Sequence, residues 1–243
     1  MGLPSARRSF DIMASAIGLL ILAPVMACVA LAVKLDDGGP IFFRHSRTGR
    51  RNSEFRMWKF RTMSVGAEKN GPNVTVAGDP RVTRMGYFLR RYRIDELPQL
   101  LNVLTGEMAL VGPRPESPKN ATLYPVSLKM ILELTPGITD PGTLAFLFRE
   151  TELISSHPNA EAAYLKLVVP ARVPLSLKYA ERATVLSDIN VILATIVGLL
   201  VPQAAWRLGL KLAGPMESNT LNTIETDCQY TSSSENGCDK RSV

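Results

Sequence analysis

Two adjacent acids, Asp95 and Glu96, stand directly before the short and largely apolar stretch 97 to 104. A carboxylate that nearby cations or helix amides keep ionised can attack phosphorus, and a neighbouring carboxylate can hold a divalent metal. Acids at the start of a helix are also commonly structural, and for the pair alone that alternative stays open. With arginines nearby, the pair favours a phosphoryl-transfer site.

A proline-flanked arginine follows that stretch: Arg114 lies between Pro113 and Pro115. The two prolines restrict the backbone on either side, so the planar guanidinium can be aimed at a phosphate with less entropy to lose. A turn with an exposed arginine is the alternative for this motif in isolation.

The positive charge of the chain is concentrated in one block. The 243 residues carry a formal charge of +6, and residues 44 to 93 contain 13 Lys and Arg against three acids, which leaves the remainder at −4. Such a block indicates a polyanionic partner: a phosphate substrate, an anionic membrane or nucleic acid. No recognised nucleic-acid motif accompanies it, so we expect no nucleic-acid partner.

A long apolar segment precedes the basic block. Residues 12 to 33 are uncharged, and a helix of that length covers roughly 30 Å of hydrocarbon. Both flanks are basic, with Arg7 and Arg8 before the segment and Lys34 after it, so both ends favour the cytoplasmic side. Pro24 lies near the midpoint and predicts a break, hence a re-entrant hairpin within one leaflet. A kinked single span, a buried soluble helix and a signal peptide remain as alternatives.

The elements that must position the acids are less regular. We expect a short strand within 36 to 50, a second over 53 to 63 with Lys59 and Arg61 on one face, and a loop over 65 to 84. Amphipathic helical turns are predicted over 85 to 93, and helices over 118 to 133, 153 to 166 and 175 to 200. The tail beyond Pro215 is polar and lacks periodicity, which is typical of disorder.

The acid pair itself is expected at a helix start. Asp95 stands at the position of an N-cap, and the helix is expected to run from Glu96 to about Thr105 and to end near Gly106.

Several of these stretches occur in a fixed order and at matching spacing. "DPRVTRMGYFLRRYRIDELPQLLNVLTGEMALVGPRPE", "PGITDPG" and the segment from "RRSFDIMAS" to "MWKFRTM" resemble the bacterial sugar transferase family, the monotopic phosphoglycosyl transferases that start glycan assembly on polyprenyl phosphate. The resemblance runs from about residue 7 to residue 200.

The resemblance implies roles for individual residues. Asp95 would be the nucleophile, Glu96 a Mg²⁺ ligand with Asp95 beside it at the metal, and Pro24 the break of the membrane hairpin. Asp79 would be a neighbour of the site or a structural support. The expected phosphate-binding residues are all basic: Lys59, Arg61, Arg81, Arg90 and Arg114.

The expected architecture is an α+β chain in four parts. Residues 1–11 form a basic lead, 12–35 a re-entrant membrane helix hairpin, 36–214 a small, mainly helical cytosolic catalytic domain with amphipathic interfacial helices, and 215–243 a disordered polar tail. The resemblance implies a short form of the family on the cytosolic face of the bacterial inner membrane.

The implied activity is transfer of a sugar phosphate from a nucleotide diphosphate sugar, expected to be a UDP-hexose, to polyprenyl phosphate through a phosphosugar-aspartyl intermediate. This step would initiate exopolysaccharide or other glycan assembly, and a homo-oligomer is compatible with it. The alternative is a non-catalytic peripheral membrane module that binds anionic lipids through the basic block.

Overall fold

The N-terminal apolar segment forms one long helix. The computed structural model describes residues 4 to 67 and 74 to 214, and in it α1 (Ser5–Asp37) continues through Pro24. The predicted break at Pro24 is therefore wrong, because a proline removes one backbone hydrogen bond and a long helix can tolerate that loss. By length and composition α1 can cross a membrane, and only 6% of its most apolar window is buried. It ends at Gly38, whose φ of 72° is a left-handed conformation that glycine adopts without strain.

Both ends of α1 pack on the rest of the protein. Near its N-terminus, Phe10 and Ala14 join a core cluster that contains Val103 and Met108. Near its C-terminus, the helix packs through a second cluster that is centred on the buried residues Val33, Phe60 and Leu89. Between these contacts the helix is exposed, for example at Leu20 with 78% of its surface accessible.

Two small sheets hold the central part of the chain. The predicted strands are confirmed as β1 (Phe42–Thr48) and β2 (Glu54–Phe60), which pair antiparallel from Phe42 opposite Phe60 to Thr48 opposite Glu54. A second sheet, β3 (Ala109–Val111) and β4 (Gly137–Thr139), is parallel and was not predicted. It anchors the chain directly before Pro113.

Helices make up most of the remainder. Those after α1 are α2 (Arg84–Arg91), α3 (Gln99–Thr105), α4 (Pro118–Thr122), α5 (Pro141–Ala145), α6 (Arg149–Ser155), α7 (Ala160–Ala163), α8 (Val169–Arg182), α9 (Val185–Leu200) and α10 (Pro202–Ala213). The protein is therefore a mixed helix and sheet structure with a long apolar N-terminal helix, as the sequence predicts, and α2 confirms the helical turns expected there.

Three predicted helices are wrong in their extent. The helix over 118 to 133 stops at Thr122 and resumes as a 3₁₀ segment at Val126, because Pro125 adopts an extended ψ of 146°. The helix over 153 to 166 is interrupted, since α6 ends at Ser155 and Asn159 caps a new helix.

The helix over 175 to 200 is two helices, α8 and α9, because Thr184 is extended and its hydroxyl caps the N-terminus of α9. The polar tail and part of the loop over 65 to 84 lie outside the described residues.

Candidate active site

A cleft of about 640 Å³ opens beside the β1–β2 pair, α2 and the loop after β3. Its volume falls within the range of about 300 to 1,000 Å³ that is typical of small-molecule sites. The structure brings all seven predicted site residues to this cleft. They are the acids Asp95 and Glu96 and the bases Lys59, Arg61, Arg81, Arg90 and Arg114.

The acid pair lies in a 3₁₀ turn (Ile94–Glu96) and not at the start of an α-helix. Arg93 enters the turn with a left-handed φ of 56°, and the amide of Glu96 donates to the Arg93 carbonyl at 3.1 Å. Because α3 begins only at Gln99 and Asp95 caps no helix, the predicted N-cap is wrong. The side chains of both acids line the cleft. The predicted helix end at Gly106 is confirmed.

Glu96 is the centre of a convergent cation cluster. Its Oε1 accepts hydrogen bonds from Lys59 Nζ at 2.8 Å, Arg93 Nη1 at 3.0 Å and Arg114 Nη2 at 3.0 Å. Burial alone would raise the pKa of Glu96, but Arg114, Lys59 and Arg93 outweigh burial and hold that pKa well below its usual range. Glu96 is therefore ionised, and it gathers three cations at one point.

Asp95 has a different environment. Its side chain is buried, Oδ1 has no hydrogen-bond partner among residues 4–67 and 74–214, and Oδ2 lies 4.0 Å from Lys59 Nζ. Burial raises the pKa of Asp95, Lys59 lowers it and Glu96 raises it again, with a net rise. An unsatisfied buried carboxylate oxygen is costly to the free protein, and a ligand or cation that reached it would remove that cost.

The two acids fit a magnesium ion in part. Mg²⁺ is commonly held by one or two carboxylates, with waters and substrate phosphates as its other ligands. The unpartnered Oδ1 of Asp95 suits that role, whereas Oε1 of Glu96 is already occupied by three cations, which leaves Oε2. Within the described ranges, no group of three or more acidic, His or Cys ligands is assembled.

The remaining predicted bases differ in how far their donors are used. Arg90 donates to two neutral hydroxyls, those of Thr62 and Thr75, each at 2.8 Å. Arg61 is ion-paired with Asp37 and also donates to the Pro40 carbonyl at 2.6 Å.

Arg81 is likewise paired, through Nη2 at 2.7 Å from Asp79 Oδ2. Asp79 therefore supports Arg81, and Arg61 helps to anchor the end of α1. Arg90 keeps a guanidinium next to the cleft without an acid partner within 4 Å among the residues that the structure describes.

Several cleft residues were not singled out from the sequence. Arg47 extends from β1, and Glu116 accepts hydrogen bonds from the Tyr164 hydroxyl at 2.5 Å and pairs with Arg172 at 3.6 Å. His45 also lines the cleft, and burial, Arg47 and Lys59 lower its pKa to about 4, so its ring is neutral at pH 7. The period of two in β1 places His45 and Arg47 on one face, a signal that was available in the sequence.

Comparison with known proteins agrees with the motifs. A family model described as "Bacterial sugar transferase" matches residues 4–202. The chain is 34% identical over 203 residues to the UDP-glucose:undecaprenyl-phosphate glucose-1-phosphate transferase of Escherichia coli (strain K12), covering 82% of this chain and 41% of that protein. The chain thus spans less than half the length of that relative.

Two further relatives show the same pattern. A protein of Caulobacter vibrioides with the same name is 34% identical over 205 residues, which is 82% of this chain and 72% of that protein. The exopolysaccharide production protein PSS of Rhizobium leguminosarum bv. phaseoli is 49% identical over 109 residues, 44% of this chain and 54% of that protein.

Proposed function

The chain belongs to the bacterial sugar transferase family, and we propose that it transfers a sugar phosphate from a nucleotide diphosphate sugar, in particular a UDP-hexose, to polyprenyl phosphate. The relatives named for UDP-glucose and undecaprenyl phosphate support the substrate classes. The observation that carries the proposal is the buried Asp95, with one free carboxylate oxygen, beside a carboxylate that gathers three cations.

The proposed reaction has two displacements at phosphorus. In the first, a carboxylate oxygen of Asp95 forms a bond to the phosphorus that carries the sugar, and the bond from that phosphorus to the bridging oxygen breaks. The nucleoside monophosphate leaves with the bridging oxygen and its electron pair. In the second, a phosphate oxygen of the lipid attacks the same phosphorus, and the Asp95 carboxylate is released.

The cations supply charge stabilisation for both displacements. Lys59 and Arg114 lie within hydrogen-bond distance of Glu96, and Lys59 is also 4.0 Å from Asp95, so both cations can turn toward phosphate oxygens on which negative charge develops. Among the described residues Arg90 donates to neutral hydroxyls, and it is placed to bind a phosphate on the α2 side of the cleft. Glu96 holds Lys59 and Arg114 together when no anionic substrate is bound.

Magnesium is part of the proposal, with Asp95 Oδ1 and Glu96 Oε2 as the atoms that would hold it. When bound, Mg²⁺ would neutralise charge on the diphosphate and on the departing phosphate. Glu96, whose ionised form is favoured by its three cations, would supply a carboxylate oxygen to the metal at neutral pH.

The membrane arrangement we propose is re-entrant. The argument rests on the two ends of α1: Arg7 is ion-paired with Asp188 at 2.6 Å, and Asp37 at the other end is ion-paired with Arg61. Both ends therefore contact the same body of the protein, which a helix that crossed the bilayer could not do. The exposed middle of α1 around Pro24 would enter one leaflet, with the catalytic cleft on the cytosolic face of the inner membrane.

The alternative, a lipid-binding module without catalysis, requires its basic side chains at the surface. Lys59, Arg90 and Arg114 instead line a cleft around two acids. An acid pair would weaken binding to anionic lipids, so the cleft favours the enzyme.

The test is a covalent label on Asp95. Full-length protein is incubated with a UDP-sugar labelled in the sugar, in the absence of lipid acceptor, and quenched rapidly. Wild type is expected to carry labelled sugar phosphate. Asp95→Asn is expected to carry none and to lose turnover, because the amide keeps the shape of the side chain but is not a nucleophile. Binding of both proteins to anionic vesicles controls for folding and for the lipid-binding alternative.

Full turnover by a wild-type enzyme that never carries label would leave Asp95 as a metal ligand or a base. Loss of vesicle binding in Asp95→Asn together with activity would show that the substitution disturbs the fold and would contradict a purely chemical role.

A further inference from the structure

Arg47 is a cleft arginine whose hydrogen-bonding groups are unused. It extends from β1 into the same cleft as Asp95 and Glu96, and its side chain keeps 18% of its surface accessible. Its Nε is buried without a partner, and within the described part of the chain no hydrogen bond is donated by its guanidinium. An arginine presents five N–H donors, so this side chain is held in place but not satisfied.

The acid nearest to Arg47 does not use those donors. Arg47 Nη1 lies 4.0 Å from Glu116 Oε1, which is too long for a hydrogen bond. Oε1 already accepts from the Ser117 amide at 2.9 Å, and Oε2 accepts from the hydroxyls of Tyr124 at 2.8 Å and Tyr164 at 2.5 Å. Glu116 is therefore occupied by other donors and only offsets the charge of Arg47.

The location of Arg47 differs from that of the cations around Asp95. Lys59, Arg93 and Arg114 all converge on Glu96 Oε1, and Lys59 is also 4.0 Å from Asp95. Arg47 makes neither contact and lies instead against Glu116. A diphosphate whose one phosphorus is attacked by Asp95 must extend its other phosphate away from that carboxylate, and a free guanidinium fork in the same cleft matches such a phosphate.

We propose that Arg47 binds the phosphate that leaves with the nucleoside, while Glu116, 4.0 Å away, offsets the charge of Arg47 in the free protein. The inference rests on the proposed function and adds a subsite to it. The ligand class is a nucleoside phosphate, because the donor must place its second phosphate away from Asp95 in the same cleft, and UDP affinity and the two KM values distinguish it from the lipid phosphate.

The experiment measures binding of UDP by titration calorimetry, apart from turnover, with full-length protein in detergent. Arg47→Met is expected to weaken UDP binding about 10- to 100-fold, the usual range for a lost charge-assisted hydrogen bond. Arg47→Lys keeps the charge but not the planar fork, so its UDP affinity is expected to lie between those of wild type and Arg47→Met. The same variants are expected to raise KM for the donor and to leave KM for polyprenyl phosphate within about twofold, a range that corresponds to less than 0.5 kcal/mol.

Arg44→Met is the matched control. Arg44 lies on the same strand, but it is exposed, outside the cleft lining, and stacked 4.3 Å over the ring of Trp58. We expect UDP affinity and donor KM to be unchanged in this variant. Thermal unfolding of all three variants separates lost binding from lost folding.

Each result decides between the two sources of phosphate. Unchanged UDP affinity in both folded Arg47 variants, or a rise in the KM of the lipid alone, overturns the assignment. If Arg47→Met does not fold, Arg47→Lys carries the test through the same two measurements. Wild-type protein that binds UDP without any transfer would contradict the proposed reaction and still leave the Arg47 assignment measurable by titration.

Discussion

At the scale of single residues, the two neighbouring acids are made unlike by their surroundings. Three cations hold the pKa of Glu96 well below its usual range, whereas burial raises the pKa of Asp95. Pairs of titratable groups whose pKa values are pushed apart commonly mark acid, base or nucleophile roles. Glu96 is thus a fixed anion, and Asp95 is a carboxylate whose reactive form depends on pH.

The raised pKa of Asp95 predicts opposite pH shifts for two substitutions beside it. In the proposed reaction Asp95 attacks only when ionised, so formation of the labelled intermediate should fall as the pH drops through the raised pKa of Asp95. The ammonium of Lys59 lowers the pKa of Asp95, so Lys59→Met should raise that pKa and move the acid limb to higher pH. The carboxylate of Glu96 raises the pKa of Asp95, so Glu96→Gln should lower that pKa and move the acid limb to lower pH.

Single-turnover labelling at saturating donor, measured across pH, checks both shifts. If both variants shift the acid limb in the same direction, the limb reflects ionisation of the substrate or of another group and not of Asp95. Arg44→Met, remote from both acids, should leave the limb in place.

Residue types at the site were predictable and their contacts were not. The acid pair and the proline-flanked Arg114 are visible in sequence because their chemistry lies in adjacent positions. One oxygen of Glu96 collects Lys59, Arg93 and Arg114, which come from three separate segments of the chain. The contact of Arg93 also depends on its left-handed backbone, a conformation that the residue type arginine does not predict.

At the scale of elements, the basic lead before the apolar segment has a structural task. Arg8 donates to the carbonyls of Val103 at 2.6 Å and Leu104 at 2.9 Å, in the last turn of α3. Arg7 is bound to Asp188 in α9 and donates to the Val111 carbonyl at 3.2 Å, directly before the loop of Arg114. The sequence indicated only a topological charge signal, because the partners, Asp188 and three backbone carbonyls, lie about 95 to 181 residues further along the chain.

The helix cap by Arg8 can be tested by a graded series. Arg8→Gln should lower the free energy of unfolding by about 1 to 2 kcal/mol, since it removes a cation and two donors from the C-terminus of α3. Arg8→Lys keeps the charge at the negative end of the helix dipole and should lose less. Thermal or denaturant unfolding in detergent gives the order, and equal losses in both variants would show that only the planar fork matters.

Sheet formation shows where local patterns are sufficient. The β1–β2 pair follows from alternation and a glycine turn between neighbouring strands. The β3–β4 pair joins three-residue strands separated by 25 residues in parallel. Such short strands carry no period of their own, and their pairing depends on packing of the whole domain.

At the scale of the whole molecule, ion pairs tie both ends of α1 to the rest of the protein. The contact of Arg7 with Asp188 and that of Asp37 with Arg61 lie at opposite ends of a 33-residue helix. If both contacts persist in the bilayer, both ends of α1 are on the cytosolic side and the apolar middle enters and leaves the same leaflet.

Single-cysteine variants at Ser5 and Asp36 test this arrangement, with Cys28, Cys228 and Cys238 replaced by Ser. Both positions are exposed, and Asp36 avoids the ion pair of Asp37 with Arg61. Neither cysteine should react with a membrane-impermeant maleimide in intact cells, and both should react in opened vesicles. Pro24→Leu restores a backbone hydrogen bond, favours a straight span, and should increase labelling of position 5 from outside. Outside labelling of position 5 in the protein with Pro24 intact would mean that α1 crosses the bilayer, and the contact between Arg7 and Asp188 could not then form in the membrane.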